Sequence, residues 1–387
     1  MRTLIFSISA GDGHLQTSLA MKKYILSKDR TSDVMIVDTL TYISPILNKI
    51  IIGSYLKIIQ IKPSLYRKLY YIIDSNSKLS SIQLNSKFNS LLSIKLKKLI
   101  DDFKPDTIIS THPIPTEMLS ILKLKLGLNV PVITIITDYA PHNFWFHKGI
   151  DAYITANKSL IRDISKKGID ENKIYNLGIP VNPEFFKKYD RVQILTSLNL
   201  SPNKFTILIM GGGLGIGKIL ELCNKLDKIE NDMQMIVVTG KNSKLYNQLV
   251  KLKSNFLKDI RILKYTNEIN KYMQASDLLF TKPGGITITE AMISSIPIVL
   301  FSPIPGQEEK NVEFLTKNNL AIYLDDIKNC NNIVNDLLEN PFLLERIKRN
   351  YINYVKPHSG DDIYTLMYCL CQDNLSNQIS SIKVQKN

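Results

Sequence analysis

Short apolar runs recur along the chain at intervals that leave room for a helix between successive runs. In the first half, Thr3–Ser9, Val34–Asp38, Asp106–Thr111, Val130–Thr137 and Asp151–Thr155 read as strands, while Leu15–Ser27 and Ser159–Lys167 carry helical spacing. That alternation predicts a parallel, doubly wound α/β sheet. Residues 180–203 hold Pro180, Pro183 and Pro202 in a polar setting and read as an interdomain linker. The pattern then restarts, with strands expected at 205–210, 235–239, 260–263, 278–280 and 297–301 and helical segments at 217–229, 243–257, 267–274 and 287–294. The expectation is two Rossmann-like domains, 1–185 and 186–371, facing a central cleft, followed by a polar tail over 372–387.

Composition narrows the class without changing this picture. The 387 residues are 44% hydrophobic and 22% charged, which excludes a disordered or fibrous chain and allows two to three domains. Cys223, Cys330, Cys369 and Cys371 lack the C-x-x-C spacing of a structural zinc site and are expected to be free thiols in a reducing cytoplasm. The apolar start meets Gly11-Asp12-Gly13 too soon for a signal peptide, and no apolar stretch approaches the roughly 20 residues of a membrane span. Charge is more informative. Lys+Arg outnumber Asp+Glu by 49 to 35, and within 42–98 stand Lys49, Lys57, Lys62, Arg67, Lys68, Lys78, Lys87, Lys95, Lys97 and Lys98 against the single acid Asp74.

Four segments fall just beyond expected strands, where open α/β sheets bind ligands. Ser9-Ala-Gly-Asp-Gly-His14 is a glycine-bearing turn, with Gly13 allowing close backbone approach and His14 placed as a general base. A turn whose histidine only caps the helix is the plainer reading. Asp138-Tyr-Ala-Pro-His142-Asn-Phe-Trp145-Phe-His147 gathers an acid, two histidines and the sole tryptophan. Asp138 and His142 have metal-pair spacing, but Pro141 disfavours the helix such a pair would need.

Met210-Gly-Gly-Gly-Leu-Gly-Ile-Gly217-Lys218 imitates a P-loop from Gly212 to Lys218, yet Ile219 stands where a hydroxyl should hold magnesium. A phosphate-admitting turn at Gly212 and Gly213 survives, and a plain tight turn explains it nearly as well. Thr281-Lys282-Pro-Gly284-Gly285-Ile-Thr287-Ile-Thr-Glu290 carries the strongest signal. Gly284 and Gly285 expose backbone N–H groups at a helix start, Lys282 and Thr287 add donors, and Glu290 suits a ribose. Thr287-x-x-Glu290 is also a capping box. Gln307-Glu308-Glu309, expected on a loop, suits a polyhydroxylated ligand. No D-x-D motif occurs, so a nucleotide-sugar enzyme built this way would stabilise its leaving diphosphate without metal, by helix N-termini and hydroxyls.

These motifs resemble those of the monogalactosyldiacylglycerol synthase family of glycosyltransferases and its bacterial diacylglycerol glucosyltransferase members. The resemblance runs from Gly11-Asp12-Gly13-His14 through Asp138, His142 and Trp145, Gly178-Ile-Pro-Val181 and Met210-Gly-Gly-Gly213 to Lys282–Ala291 and Pro303–Glu308. It departs at Asp12, where members often have glycine or another small residue. It implies a GT-B fold, a UDP-glucose or UDP-galactose donor held mainly by the C-terminal domain, no further cofactor, and inversion to a β-linked glycolipid. By the same resemblance His14 would deprotonate the acceptor or touch the diphosphate, and Asp138 would be an alternative base or an acceptor contact. Glu290 would bind ribose, Thr287 and Gly285 the phosphates, and Gln307 and Glu308 the donor sugar.

The basic segment fits a diacylglycerol acceptor in an anionic membrane. Tyr42–Ile73 interleaves Ile, Leu and Tyr with cations, so Lys57, Lys62, Arg67 and Lys68, with His142 and Trp145, are candidate membrane or acceptor contacts. A solvated helical face is the plainer reading, and no nucleic-acid module accompanies the charge. The expected location is peripheral, on the cytoplasmic face of the cell membrane. A polyprenyl-linked or small-aglycone acceptor, and a UDP-sugar 2-epimerase that needs no acceptor, remain the alternatives.

Overall fold

The computed structural model describes residues 1–9, 12–75 and 86–384, which fall into two compact units. One unit comprises Met1–Ala10, His14–Asn182 and His358–Asn387; the other comprises Gly11–Gly13 and Pro183–Pro357.

In the first unit, β1 (Arg2–Ser7), β2 (Asp33–Asp38), β3 (Thr107–Ser110), β4 (Val132–Ile135), β5 (Ala152–Ile154) and β6 (Ile174–Tyr175) form one parallel sheet in the order β2-β1-β3-β4-β5-β6. Its inner strands are apolar at successive positions because both faces are covered. Leu4 and Phe6 of β1 enter one core with Trp145 and Tyr153, while Ile5 enters a second core with Met21, Ile25, Ile363 and Met367. The helices are α1 (Asp12–Lys28), α2 (Thr39–Ile43), α3 (Pro45–Ile61), α4 (Pro63–Ser75), α5 (Ser86–Phe103), α6 (Pro113–Leu126) and α7 (Ser159–Ser165).

The second unit holds β7 (Phe205–Met210), β8 (Met233–Val238), β9 (Ile260–Leu263), β10 (Leu278–Thr281), β11 (Ile298–Phe301) and β12 (Ile322–Leu324), all parallel, ordered β12-β11-β10-β7-β8-β9. Counted from β7, this is the Rossmann order, with the reversal between β7 and β10. Its helices are α8 (Arg191–Ser197), α9 (Ile219–Leu226), α10 (Ser243–Leu252), α11 (Ile269–Ala275), α12 (Gly285–Ile293), α13 (Gln307–Lys317), α14 (Cys330–Glu339) and α15 (Pro341–Asn350).

The boundary between the units, at 182/183, falls within the expected linker 180–203, though that segment is largely built into the second unit: Asp190 caps α8, and the Arg191 guanidinium, paired with Asp277 at 2.9 Å, fastens that helix to the second sheet. Two further expectations are corrected. The second domain ends before residue 358, not at 371. Helix Ser359–Val384 returns to the first unit, where Ile363 and Met367 are fully buried and the Ser359 hydroxyl donates to the Gly178 carbonyl at 3.0 Å. That helix also absorbs most of the supposed tail; residues 385–387 lie outside the described residues.

Candidate active site

Both sheets place their chemistry at the strand reversal. In the first unit β1 and β3 are neighbours there, Phe6 beside Ser110, so the residues that follow each strand meet. His14, in the first turn of α1, has Nδ1 at 2.7 Å from the Thr111 carbonyl oxygen and 3.0 Å from Thr137 Oγ1. A carbonyl only accepts, which assigns the ring proton to Nδ1 and leaves the lone pair on Nε2. Burial lowers the His14 pKa to about 4, and the hydrogen bond to Thr111 opposes this only in part. The imidazole is therefore neutral at physiological pH, with its basic nitrogen uncommitted among the described residues. Thr111 is itself fixed: its hydroxyl donates to Ser7 Oγ and meets Ser18 Oγ at 3.1 Å, and Ser18 donates back to the His14 carbonyl.

Sequence reasoning misses His112, whose ring lies edge-on to His14 with centroids 4.6 Å apart at 73°. Its position directly after β3, followed by a proline at the first turn of α6, was the available signal. The Asp138 segment supplies the third side. Asp138 accepts from the Trp145 indole N–H at 3.3 Å, and His142 accepts from the Phe144 N–H at 3.1 Å and packs edge-on against Tyr70 of α4. Trp145 is 0% exposed and cannot dip into a membrane, which corrects that expectation; its bulk lies in the core, 6.3 Å centroid to centroid from His14. His147 turns back onto its own loop, Nε2 at 3.0 Å from the Phe144 carbonyl. Of the first glycine turn, Asp12 and Gly13 are the first two residues of α1, and Ala10 and Gly11 lie outside the described residues.

In the second unit β7 and β10 are paired up to Met210 beside Thr281, so the glycine turn and the Lys282 segment emerge side by side. Gly212 has φ 69, a left-handed conformation with nothing within 4 Å of a built Cβ. Lys241 N–H donates to the Gly213 carbonyl, tying the turn to the loop after β8. Helix α12 starts at Gly285, and its N-cap Gly284 offers no side-chain hydrogen bond, with open space where a Cβ would stand. The first N–H groups of α12 thus have no side-chain cap at Gly284, the arrangement that attracts an anion. The capping-box reading of Thr287 and Glu290 is thereby corrected: Thr287 is the third helical residue and Glu290 lies beyond the cap. Glu290 is 8% exposed, its carboxyl group accepts no hydrogen bond among the described residues, and burial pushes its pKa up to about 8. Metal-ligand geometry is absent among the described residues: no three His, Cys, Asp or Glu side chains gather.

The Gln307–Glu309 segment is the first turn of α13, not a loop. Glu308 accepts two hydrogen bonds from Lys282 Nζ, at 2.9 and 3.2 Å, and a third from the Ile304 N–H at 2.6 Å. Lys282 and Glu308 are both largely buried, so each occupies the other; in this arrangement they are a brace between β10 and α13. Asn311 strengthens it, donating to the Pro283 carbonyl at 3.0 Å. Gln307, the first residue of α13, is half-buried.

Helices α3 and α4 expose Ile46, Ile50, Ile58, Leu65, Tyr71 and Ile72, with Lys49, Lys62, Arg67 and Lys68 also exposed. Lys57 belongs to α3, but its side chain lies outside the described residues, as does Lys78 entirely. No helix among the described residues is long and apolar enough to cross a membrane.

Two parallel six-stranded sheets with loops at the strand reversals make the GT-B fold. The crystal structure of Acinetobacter baumannii MurG shares that fold, with a TM-score of 0.58 at 14% identity over 95% of this chain and 99% of that one. The family model described as monogalactosyldiacylglycerol (MGDG) synthase matches residues 14–181, and that of the glycosyltransferase family 28 C-terminal domain matches 206–350. The processive diacylglycerol beta-glucosyltransferases of Bacillus subtilis (strain 168) and Bacillus pumilus (strain SAFR-032) are 30% and 31% identical to it, covering 90% and 94% of this chain and 90% and 93% of theirs. The chain belongs to this family of MGDG synthase-like glycosyltransferases.

Proposed function

We propose that the enzyme transfers a hexose, glucose by the names of its relatives, from a UDP-sugar to the hydroxyl of diacylglycerol, inverting the anomeric carbon to give a β-glycoside at an anionic membrane surface. The observation that carries this is the state of His14: neutral, oriented through Nδ1, with the Nε2 lone pair available. His14 takes the hydroxyl proton as the alkoxide forms, and the hydroxyl oxygen displaces the diphosphate from the anomeric carbon. Asp138, bound to the Trp145 indole, holds the aromatic wall beside His14 rather than acting as the base. In the second unit the uncapped α12 N-terminus, with Gly285 and Thr287, carries the diphosphate charge without a metal, Glu290 accepts the ribose hydroxyls, and Gln307 faces the sugar.

The acceptor reading rests on α3 and α4. Tyr70 of α4 packs on His142, so the exposed aliphatic and cationic face joins the loop that surrounds His14. A soluble aglycone or a 2-epimerase leaves that face without a role. On this reading the enzyme works peripherally, on the cytoplasmic leaflet. The test is product stereochemistry: glycolipid made from UDP-glucose and diacylglycerol vesicles is isolated and its anomeric proton examined by NMR. A large, β-type coupling is expected; an α-anomer contradicts single displacement, and diacylglycerol-independent loss of UDP-glucose contradicts the acceptor.

A further inference from the structure

His14 and His112 are held in opposite tautomers by partners that permit no other arrangement. The His14 Nδ1 partner is a carbonyl, which forces N–H onto Nδ1. The His112 Nδ1 partner is the Ile114 backbone N–H, at 3.1 Å, which only donates and so forces the lone pair onto Nδ1 and the proton onto Nε2. Both rings are kept neutral by burial; His112 is further disfavoured as a cation by His14 and His142 beside it. Each ring therefore has one nitrogen spent on the scaffold. The remaining nitrogens, an acceptor on His14 and a donor on His112, find no hydrogen-bond partner among the described residues, and the rings are 4.6 Å apart. One small group satisfies an acceptor and a donor at once: a hydroxyl.

We propose that His112 donates its Nε2–H to the acceptor hydroxyl whose proton His14 accepts, fixing that hydroxyl's rotation for attack. This rests on the glycosyl-transfer reading above. In the step, the hydroxyl oxygen has three commitments: its proton goes to His14 Nε2, one lone pair accepts from His112 without proton transfer, and the other forms the bond to the anomeric carbon. The bond from that carbon to the β-phosphate oxygen breaks, and its electron pair leaves with UDP. His112 contributes orientation, not basicity, so it removes a rotational freedom that the reaction would otherwise have to freeze.

The plain alternative is that His112 only caps α6, and two substitutions separate the roles. His112→Asn presents an acceptor to the Ile114 N–H, as a good N-cap does, but loses the distal donor. His112→Gln reaches to the distal position with an N–H but caps poorly. Turnover of UDP-glucose with diacylglycerol vesicles, thermal melting and UDP affinity are measured for wild type and both variants. His112→Asn is expected to melt like wild type, bind UDP normally and lose about 10- to 100-fold in kcat. His112→Gln is expected to melt lower and keep more kcat than His112→Asn. Wild-type kcat in His112→Asn overturns the proposal, as does a His112→Gln variant slower than His112→Asn. A wild-type enzyme that forms no glycolipid instead overturns the transfer reading, so the two failures are distinct.

Discussion

His14 and Glu290 are each buried in the uncharged form, and each has the opposite consequence for pH. For His14 the unfolded chain takes up a proton near 6.5 and the folded chain only near 4. Its contribution to stability is therefore present above pH 6.5 and is lost as pH falls toward 4. Glu290 loses its proton near 4.5 when unfolded and near 8 when folded, so stability from its protonated burial is complete below 4.5 and declines as pH rises to about 8. A ribose that donates hydroxyls to Glu290 favours the carboxylate, so UDP binding at pH 7 is expected to release close to one proton. Calorimetry in buffers of different ionisation enthalpy reads this directly; proton release that persists in Glu290→Gln assigns it elsewhere. Replacing His14 by Ala is expected to lower kcat by at least about 100-fold, the scale of general-base catalysis, with UDP affinity unchanged. An active His14→Ala removes the base from the mechanism. Of these residues, His14 and Glu290 were legible because each follows a glycine turn after an apolar run. The Lys282–Glu308 brace was not, since it joins residues 26 apart whose encounter depends on β10 and α13 packing.

At the level of elements, α3 and α4 carry the acceptor hypothesis. Ile46 is 72% exposed and Ile50 58%, one turn apart on α3 beside Lys49. Burying such side chains in a bilayer is worth on the order of 1–2 kcal/mol each when partly exposed, and each nearby cation about 1 kcal/mol. Co-flotation with vesicles containing an anionic lipid is expected to fall about 10-fold or more in the Ile46→Ser, Ile50→Ser double variant, and to weaken with salt. Undiminished flotation assigns these helices another role. Strands β1–β5 and β7–β11 were readable from their apolar runs. The helices between β2 and β3 were not delimited, because serine, proline and lysine interrupt their periodicity, and α6 was hidden by Pro113 and Pro115 at its start. The two-residue β6 and the three-residue β12 are too short to leave a pattern.

The molecule as a whole is two parallel sheets, and the chain crosses between their units more than once. The return after residue 357 escaped sequence reasoning because the apolar residues that reach the first unit's core, Ile363 and Met367 with Tyr364, Leu366 and Leu370 packed against it, are followed by a polar stretch that reads as a tail. Ile363 and Met367 complete the core beneath β1 and α1, the elements that carry His14. Ile363→Ala is expected to destabilise the first unit by about 2–5 kcal/mol, measured by denaturant unfolding, without weakening UDP binding. A neutral substitution shows the helix to be an appendage. On the proposed reading, His14 with Thr111 and His112 at one strand reversal activate the acceptor, and Gly212 with Glu290 at the other bind the donor.

That division is tested most directly by mass spectrometry of lipids after purified enzyme is incubated with diacylglycerol vesicles and equal UDP-glucose and UDP-galactose, followed by each donor alone. Monohexosyl- or dihexosyl-diacylglycerol, formed from UDP-glucose alone and not by His14→Ala, is the expected result. Donor consumption with no glycosylated diacylglycerol contradicts the account.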